Sequence, residues 1–246
     1  AIPEGAAIAT ALWNASDHLP IRVDIQLPAK ISAPAALAFG SVIIGAGANQ
    51  TLAISNSAPV PADELDYMLT APAGFTAPGG SFVANAGASP NAHTIGMSTG
   101  SATVKAGPLL IGSSDPDNFS VEVALSGTVL DHAQASLDST AALLAQDLDF
   151  GTHASGAFST LMARVHDRGY NALRARLSLN SATITGGDGR FSIVGGFTPA
   201  LVAGTARTHS IQFDDAGATP DLDYDATLTF ASADEALPGA APQFDL

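Results

Sequence analysis

The chain has no cysteine among its 246 residues, so neither disulfide staples nor thiol chemistry operate in it. That absence does not choose a compartment, since many exported bacterial proteins also lack cysteine. Basic residues are scarce as well. Nine Lys and Arg stand against 23 Asp and Glu, a formal net charge of −14. A field of that sign repels phosphate backbones and excludes nucleic acid as a partner. The deficit is shared along the chain: residues 31–133 carry one Lys against seven acids, and residues 134–246 carry six Arg against thirteen. No apolar stretch reaches the roughly 18 residues that a helical membrane span needs. The Gly-x-Ser-x-Gly elbow, the Gly-x-x-x-x-Gly-Lys phosphate loop and any His-x-x-x-His spacing are missing too, and His132, His153 and His166 stand apart. No zinc site is expected.

What is present is a repetition. Leu37-Ala38-Phe39-Gly40 returns 111 residues later as Leu148-Asp149-Phe150-Gly151. Gly74-Phe75-Thr76, Gly79-Gly80 and His93-Thr94-Ile95 follow the first; Arg190-Phe191-Ser192, Gly195-Gly196 and His209-Ser210-Ile211 follow the second. The Phe-to-Phe interval is 36 residues in one copy and 41 in the other, so the copies differ by loop insertions and keep their element order. Such a period fixes the unit of folding. A first module runs over 31–130 and a second over 131–246, with 1–30 belonging to neither. With 46% apolar residues each module can bury its own core.

Within both copies the apolar period is that of strands with one buried face. Gln50-Thr51-Leu52-Ala53-Ile54-Ser55-Asn56, Ser120-Val121-Glu122-Val123-Ala124-Leu125 and Ala226-Thr227-Leu228-Thr229-Phe230 alternate at every second position. Turn chemistry separates them: Gly45-Ala46-Gly47, Asp115-Pro116-Asp117-Asn118 and Gly186-Gly187-Asp188-Gly189. The fold class is all-β, two tandem immunoglobulin-like antiparallel β-sandwiches. Helix is the weaker reading almost everywhere. Even Ser136–Gln146, helix-like in composition, reads better as an extended linker, because the first copy enters its Phe-Gly motif through Ile31-Ser32-Ala33-Pro34.

The order Leu-x-Phe-Gly, strand, Gly-Phe, Gly-Gly, Ser113-Ser114-Asp115-Pro116-Asp117 and Leu125-Ser126-Gly127-Thr128 resembles the Hydin-type immunoglobulin-like repeat. That repeat is also known as the choice-of-anchor D domain of bacterial surface and secreted proteins. The resemblance covers about nine-tenths of the chain. It implies a seven- or eight-stranded sandwich that positions or binds other proteins and has no active site of its own. The second copy departs from the pattern in having Ala233-Asp234-Glu235-Ala236 for the Ser-Asp-Pro-Asp turn, and in stopping at Phe244-Asp245-Leu246. Its last strand is expected to be incomplete.

Residues 1–30 carry a different resemblance. Ser16-Asp17-His18-Leu19-Pro20-Ile21 is similar to the Ser-Asp-His-x-Pro motif near the C-terminal end of the endonuclease/exonuclease/phosphatase family. That resemblance implies His18 as acid/base and Asp17 as its acidic partner, acting on a Mg²⁺-bound phosphodiester. The same family needs an upstream Glu and an Asp-x-Asn pair, and none precedes them in a chain that opens at Ala1 without Met. The chain is therefore read as a processed form or a piece of something longer. No activity and no cofactor are expected of it alone.

Asp221-x-Asp223-x-Asp225 offers carboxylates to a hard cation and is the one Ca²⁺ candidate. An EF-hand would next need Gly and Glu where Ala226 and Ser232 stand, so a polar turn with Tyr224 inward is the stronger reading. His93 and His209 are explained as equivalent strand-start positions. Arg164, Arg168, Arg174 and Arg176 balance the acidic surface of their own module.

The leading function is thus a non-catalytic, extracellular or periplasmic accessory, structural or adhesion region behind a phosphodiesterase-type domain, with a protein or a cell-surface component as partner. One alternative is a fragment of a Mg²⁺-dependent nuclease or phosphatase that contributes Asp17-His18 to an active site. A second is a subunit that exchanges strands with its neighbours in an oligomer, filament or surface layer, since Leu19–Leu27 reads as an unattached strand and the second module lacks most of its closing one.

Overall fold

The computed structural model describes residues 5–15, 26–243 and 245–246. The chain is all-β apart from one helix, α1 (Gly5–Ala15). That helix is a departure from the strand-only reading. Its GAAIATALWNA sequence is rich in Ala, which gives up no side-chain entropy on forming a helix.

The first module holds β1 (Ile31–Ser32), β2 (Ala36–Ile43), β3 (Asn49–Asn56), β4 (Leu65–Thr70), β5 (Phe75–Thr76), β6 (Ser81–Ala84), β7 (Asn91–Met97), β8 (Thr103–Ser113) and β9 (Ser120–Leu130). They form two facing sheets, β1-β3-β7-β5 and β2-β9-β8-β4-β6. Alternation does the sorting: Leu52 and Ile54 of β3, Ile95 of β7, Leu109 and Ile111 of β8 and Val123 of β9 all point inward and are fully buried. All pairs are antiparallel except β2 with β9, which run parallel in the register Ala36↔Ala124 to Ile43↔Leu130. The sequence pattern had indicated antiparallel pairing alone. A parallel closing pair needs a long connection, and here nearly the whole module lies between its two strands.

The second module holds β10 (Ala135–Ser136), β11 (Leu161–Asp167), β12 (Leu177–Gly186), β13 (Phe191–Ile193), β14 (Ala200–Val202), β15 (Arg207–Phe213) and β16 (Ala226–Asp234). One sheet, β10-β11-β15-β13, repeats the order of β1-β3-β7-β5 element for element. The other, β14-β12-β16, repeats only β6-β4-β8. Counterparts of β2 and β9 are not strands among the described residues, and 137–160 contain neither helix nor strand.

Matched contacts confirm the correspondence. Asn56 Oδ1 accepts the Lys30 N–H (3.0 Å) as Asp167 Oδ1 accepts that of Gln134 (2.9 Å). Asp115 Oδ2 accepts the Ile31 N–H (3.0 Å), and Asp234 Oδ1 accepts that of Ala133 (2.8 Å), two residues before the counterpart of Ile31. The Ala-Asp-Glu-Ala sequence therefore keeps the buried aspartate of the Ser-Asp-Pro-Asp turn in place, although the turn itself is replaced.

The modules meet at a small apolar cluster of Ile43, Leu130 and Ala175, with Ile44 and Leu237 against it. Ile43 N–H donates to Pro238 O (2.8 Å), and Asp131 exchanges backbone hydrogen bonds with Leu173 and Ala175 (2.8 and 2.9 Å). Among the described residues no helix is long and apolar enough to cross a membrane.

Candidate functional site

The place where the two modules differ most is the seat of the closing strand. In the first, β9 lies between two neighbours, antiparallel to β8 from Thr103↔Val129 to Gly112↔Ser120 and parallel to β2. Val123, Leu125 and Val129 enter the core from it, exposed by 0, 2 and 0%. The Phe-Gly motif makes the crossing close. Gly40 adopts φ +70°, a left-handed conformation that a Cβ disfavours, and the register of β2 shifts there. Phe39, just before it, packs on Phe75 with ring centroids 5.5 Å apart.

The second module holds the same motif in the same conformation. Gly151 adopts φ +67° and Phe150 packs on Phe191 at 5.6 Å, so Leu148–Gly151 sits as the start of β2 sits. The Asp149 carboxylate fixes the turn by accepting the Gly151 N–H at 2.7 Å. On β16, the chain's own end returns along part of the edge. Asp234 N–H donates to Ala241 O and Gln243 N–H to Ser232 O, both at 3.0 Å, and Phe230 and Leu246 exchange bonds of 2.9 and 3.1 Å. Phe230 corresponds to Ile111, whose partner is Val121, so Leu246 stands where Val121 stands. Among the described residues, Val123, Leu125 and Val129 have no counterparts. Beyond Leu246 the strand Ala226–Thr229 pairs with β12 alone. Backbone direction alternates along a strand, and Phe230 faces the open edge, so Ala226 and Leu228 present their N–H and C=O groups to it as well.

Between this edge and Leu148–Gly151 opens a cavity of about 1450 Å³. Its floor is aromatic: Phe213 packs on Phe158 at 4.9 Å, on Phe191 at 5.0 Å and on Tyr224 at 5.6 Å. Ile184, Ile211 and Leu228 complete the apolar lining. The rim is acidic, with Asp147, Asp149, Asp215, Asp221, Asp223, Asp225 and Asp245 lining it and no Lys or Arg among the lining residues. Arg190 lies behind Tyr224, 4.9 Å from its ring, and donates to the carbonyls of Asp214, Ala216 and Gly217, so its charge holds the loop of 214–217. The Gly156 N–H, 2.6 Å from Asp215 Oδ2, holds that carboxyl below the usual carboxylate range. Asp215 is thus ionised at neutral pH.

No family model matches the chain. No curated protein matches it either. Among solved structures, a protein of unknown function from Porphyromonas gingivalis is 16% identical over 88% of this chain and 98% of its own, with a TM-score of 0.36. An ASH/PapD-like domain of human CEP192 is 12% identical over 46% of this chain and 94% of its own, TM-score 0.35. The E. coli chaperone DraB is 10% identical over 90% and 98%, TM-score 0.29. A PapD-like domain and periplasmic chaperones recur among these neighbours.

Of the residues singled out in the sequence, Asp17 and His18 lie outside the described residues. Asp221, Asp223 and Asp225 are exposed on the loop that leads into β16, and Tyr224 between them is half-buried, its OH accepting the Thr219 N–H at 2.9 Å. Among the described residues no group of three or more His, Asp or Glu is gathered to hold a metal ion. His93 and His209 are buried on β7 and β15, one bound to Tyr67 OH at 2.8 Å and the other with its Nε2 unpartnered. Arg176 forks onto Glu235 through Nε (2.8 Å) and an NH₂ group (2.6 Å), and Arg168 donates to Gln134 (2.6 Å). Sequence reasoning expected an incomplete last strand in the second module; it did not find the aromatic floor and acidic rim of the cleft, which segments far apart in the chain bring together.

Proposed function

We propose that the chain is a non-catalytic, exported tandem immunoglobulin-like module that binds protein, and that the edge of β16 in its second sandwich accepts a closing strand in the seat that β9 occupies in the first. One observation carries this reading: the seat that Val123–Leu130 fills in the first module is lined and framed in the second by β16 and Leu148–Gly151. An exposed edge with an apolar floor is a ready template for strand addition, in which main-chain bonds give affinity and side-chain pockets give selection. Burying three apolar side chains of Val or Leu size contributes several kcal/mol, before the cost of ordering the segment is subtracted.

A synthetic peptide with the uncharged sequence of Val123–Leu130 tests the reading. Added to the full chain, it should slow amide hydrogen exchange at Ala226, Leu228 and Leu148–Gly151 and raise the melting temperature of the second module. Ala226→Pro removes a donor that faces only the open edge and leaves the β12 ladder intact, a substitution that edge strands tolerate. It should weaken the peptide about tenfold at little cost to stability. Unchanged exchange at those amides with saturating peptide would sink the proposal.

A further inference from the structure

We propose that the outer face of the five-stranded sheet in the first module, centred on β8, is a self-association surface that packs against the same face of a second copy of this chain. The face lies on the other sandwich from the β16 edge, and its role is independent of strand addition there.

Alternation along β8 creates the face. Leu109 and Ile111 point into the core, so Val104, Ala106, Pro108, Leu110 and Gly112 point out, five successive outward positions without a polar side chain. An antiparallel strand with one solvated face ordinarily carries polar residues on it. β8 is paired on both edges, with β9 and with β4, so its face and not its edge is left for a contact. Val83 of β6, Met68 of β4, Leu110 and Val104 stay 39–67% exposed, and Ala124 of β9 and Ala36 of β2 carry the apolar surface across the sheet. The five strands beneath the face are all in place, so its exposure does not stem from a missing element.

The duplication supplies the control. Ile111 and Phe230 are counterparts, so the outward positions of β8 correspond to Asp223, Asp225, Thr227, Thr229 and Ala231. The same face of the same fold is acidic and hydroxyl-bearing in the second module. The fold therefore accepts polar residues at these positions, and the apolar set of the first module serves a contact outside the sandwich.

Charge and shape fit a second copy. The outward positions of the five strands carry Asp66 and Glu122 and no Lys or Arg, in a chain of net charge −14. A flat, nearly neutral apolar face is where two such acidic molecules can meet with least repulsion. The flanks of the face also match. β4 and β6 carry the bulky Met68 and Val83, whereas β9 and β2 carry the small Ala124, Ser126, Ala36 and Ala38. A two-fold axis along β8 lays one flank on the other, the self-complementarity that a two-fold dimer requires. Glu122 and Thr70 are the two cross-strand neighbours of Leu110, so the same axis sets the carboxylate against a hydroxyl and not against its symmetry mate. Five strands about 4.8 Å apart and the span of Val104 to Gly112 at about 3.3 Å per residue give roughly 500–600 Å² on each copy. The total reaches the about 1,000 Å² of a specific interface and stays below the size of a permanent one, so the dimer is reversible and concentration-dependent.

Light scattering of the full chain over a range of concentrations tests the proposal. The mass should rise from 24.6 kDa toward twice that value, more readily in salt, because screening relieves the repulsion between two copies at −14. Val104→Asp with Leu110→Thr gives the first module what the second carries at the same positions, and should weaken the dimer at least about tenfold with the melting temperature little changed. Met68→Lys, at an exposed residue, repeats the test should the double variant fail to fold. A monomeric mass at every concentration would overturn the proposal, as would a dimer that salt weakens or that these variants leave intact. A dimer lost with Ala226→Pro instead would place the contact at the β16 edge and likewise overturn it. Binding of the Val123–Leu130 peptide is read separately, by amide exchange in the second module, so failure of either proposal leaves the other standing.

Discussion

Asp167 and Asn56 occupy one position in two copies, and the comparison isolates what a buried charge does there. Both accept a backbone N–H from the strand beside them, but Asn56 also donates its amide to Asp63 O at 2.8 Å and to Ala84 O at 3.3 Å. Asp167 has no proton to donate when ionised, and its Oδ2 is buried without a partner. Burial pushes its carboxyl up to about 6, the Gln134 N–H and the Arg174 guanidinium pulling the other way and Asp234 adding to the rise. A carboxyl raised in the folded state binds its proton more tightly there than in the unfolded chain. Its charge therefore opposes folding increasingly from about pH 4 to about pH 6 and fully above that. Asp167→Asn keeps the bond to Gln134 and should stabilise the chain by about 1–2 kcal/mol at pH 7, a gain that vanishes near pH 4. Urea denaturation at the two pH values measures it, and a gain of equal size at both would contradict the assignment. His93 and His209 act in the opposite sense. Burial lowers both imidazoles, so stability present above their ordinary value near 6.5 is lost as the pH falls below it. Such residue-level asymmetry was invisible in the sequence, where the two histidines matched and the Tyr67 that satisfies only one of them lay far away.

Strands were the most legible elements. The alternating runs read over Gln50–Asn56, Ser120–Leu125 and Ala226–Phe230 lie within β3, β9 and β16, because a period of two needs no tertiary information to face one side inward. The helix Gly5–Ala15 was not read, its Ala-rich composition giving no strong apolar stripe. The parallel direction of β2 was not legible either, since apolar period is blind to strand direction. At the crossing of β9 over Phe39, Gly127 is required by contact. Gly127→Val should cost about 1–3 kcal/mol through overpacking against Met97 and Phe39, lowering the urea midpoint of the first module. A neutral substitution would show that the strand can lift from the motif.

At the scale of the whole molecule, the modules are joined by a backbone hydrogen bond from Ile43 to Pro238 and by the packing of Ile43, fully buried, against Leu130 and Ala175. Ile43 belongs to this junction and not to the core of its own sandwich. Ile43→Ala removes most of that packing, at about 2–4 kcal/mol. It should split thermal unfolding into two calorimetric transitions, where the unsubstituted chain should show one. A single transition at a lower temperature would place the coupling elsewhere. The sequence by itself determined the duplication, the all-β class, the strand period and the acidity, because these reside in composition and in local spacing. Only the tertiary structure decided that Asp234 inherits the role of Asp115, that β2 runs parallel to β9, and that the second Leu-x-Phe-Gly motif faces an open cleft. Each of those is a contact between segments tens of residues apart, and the repeated motif is the same four-residue signal whether or not a strand lies beside it.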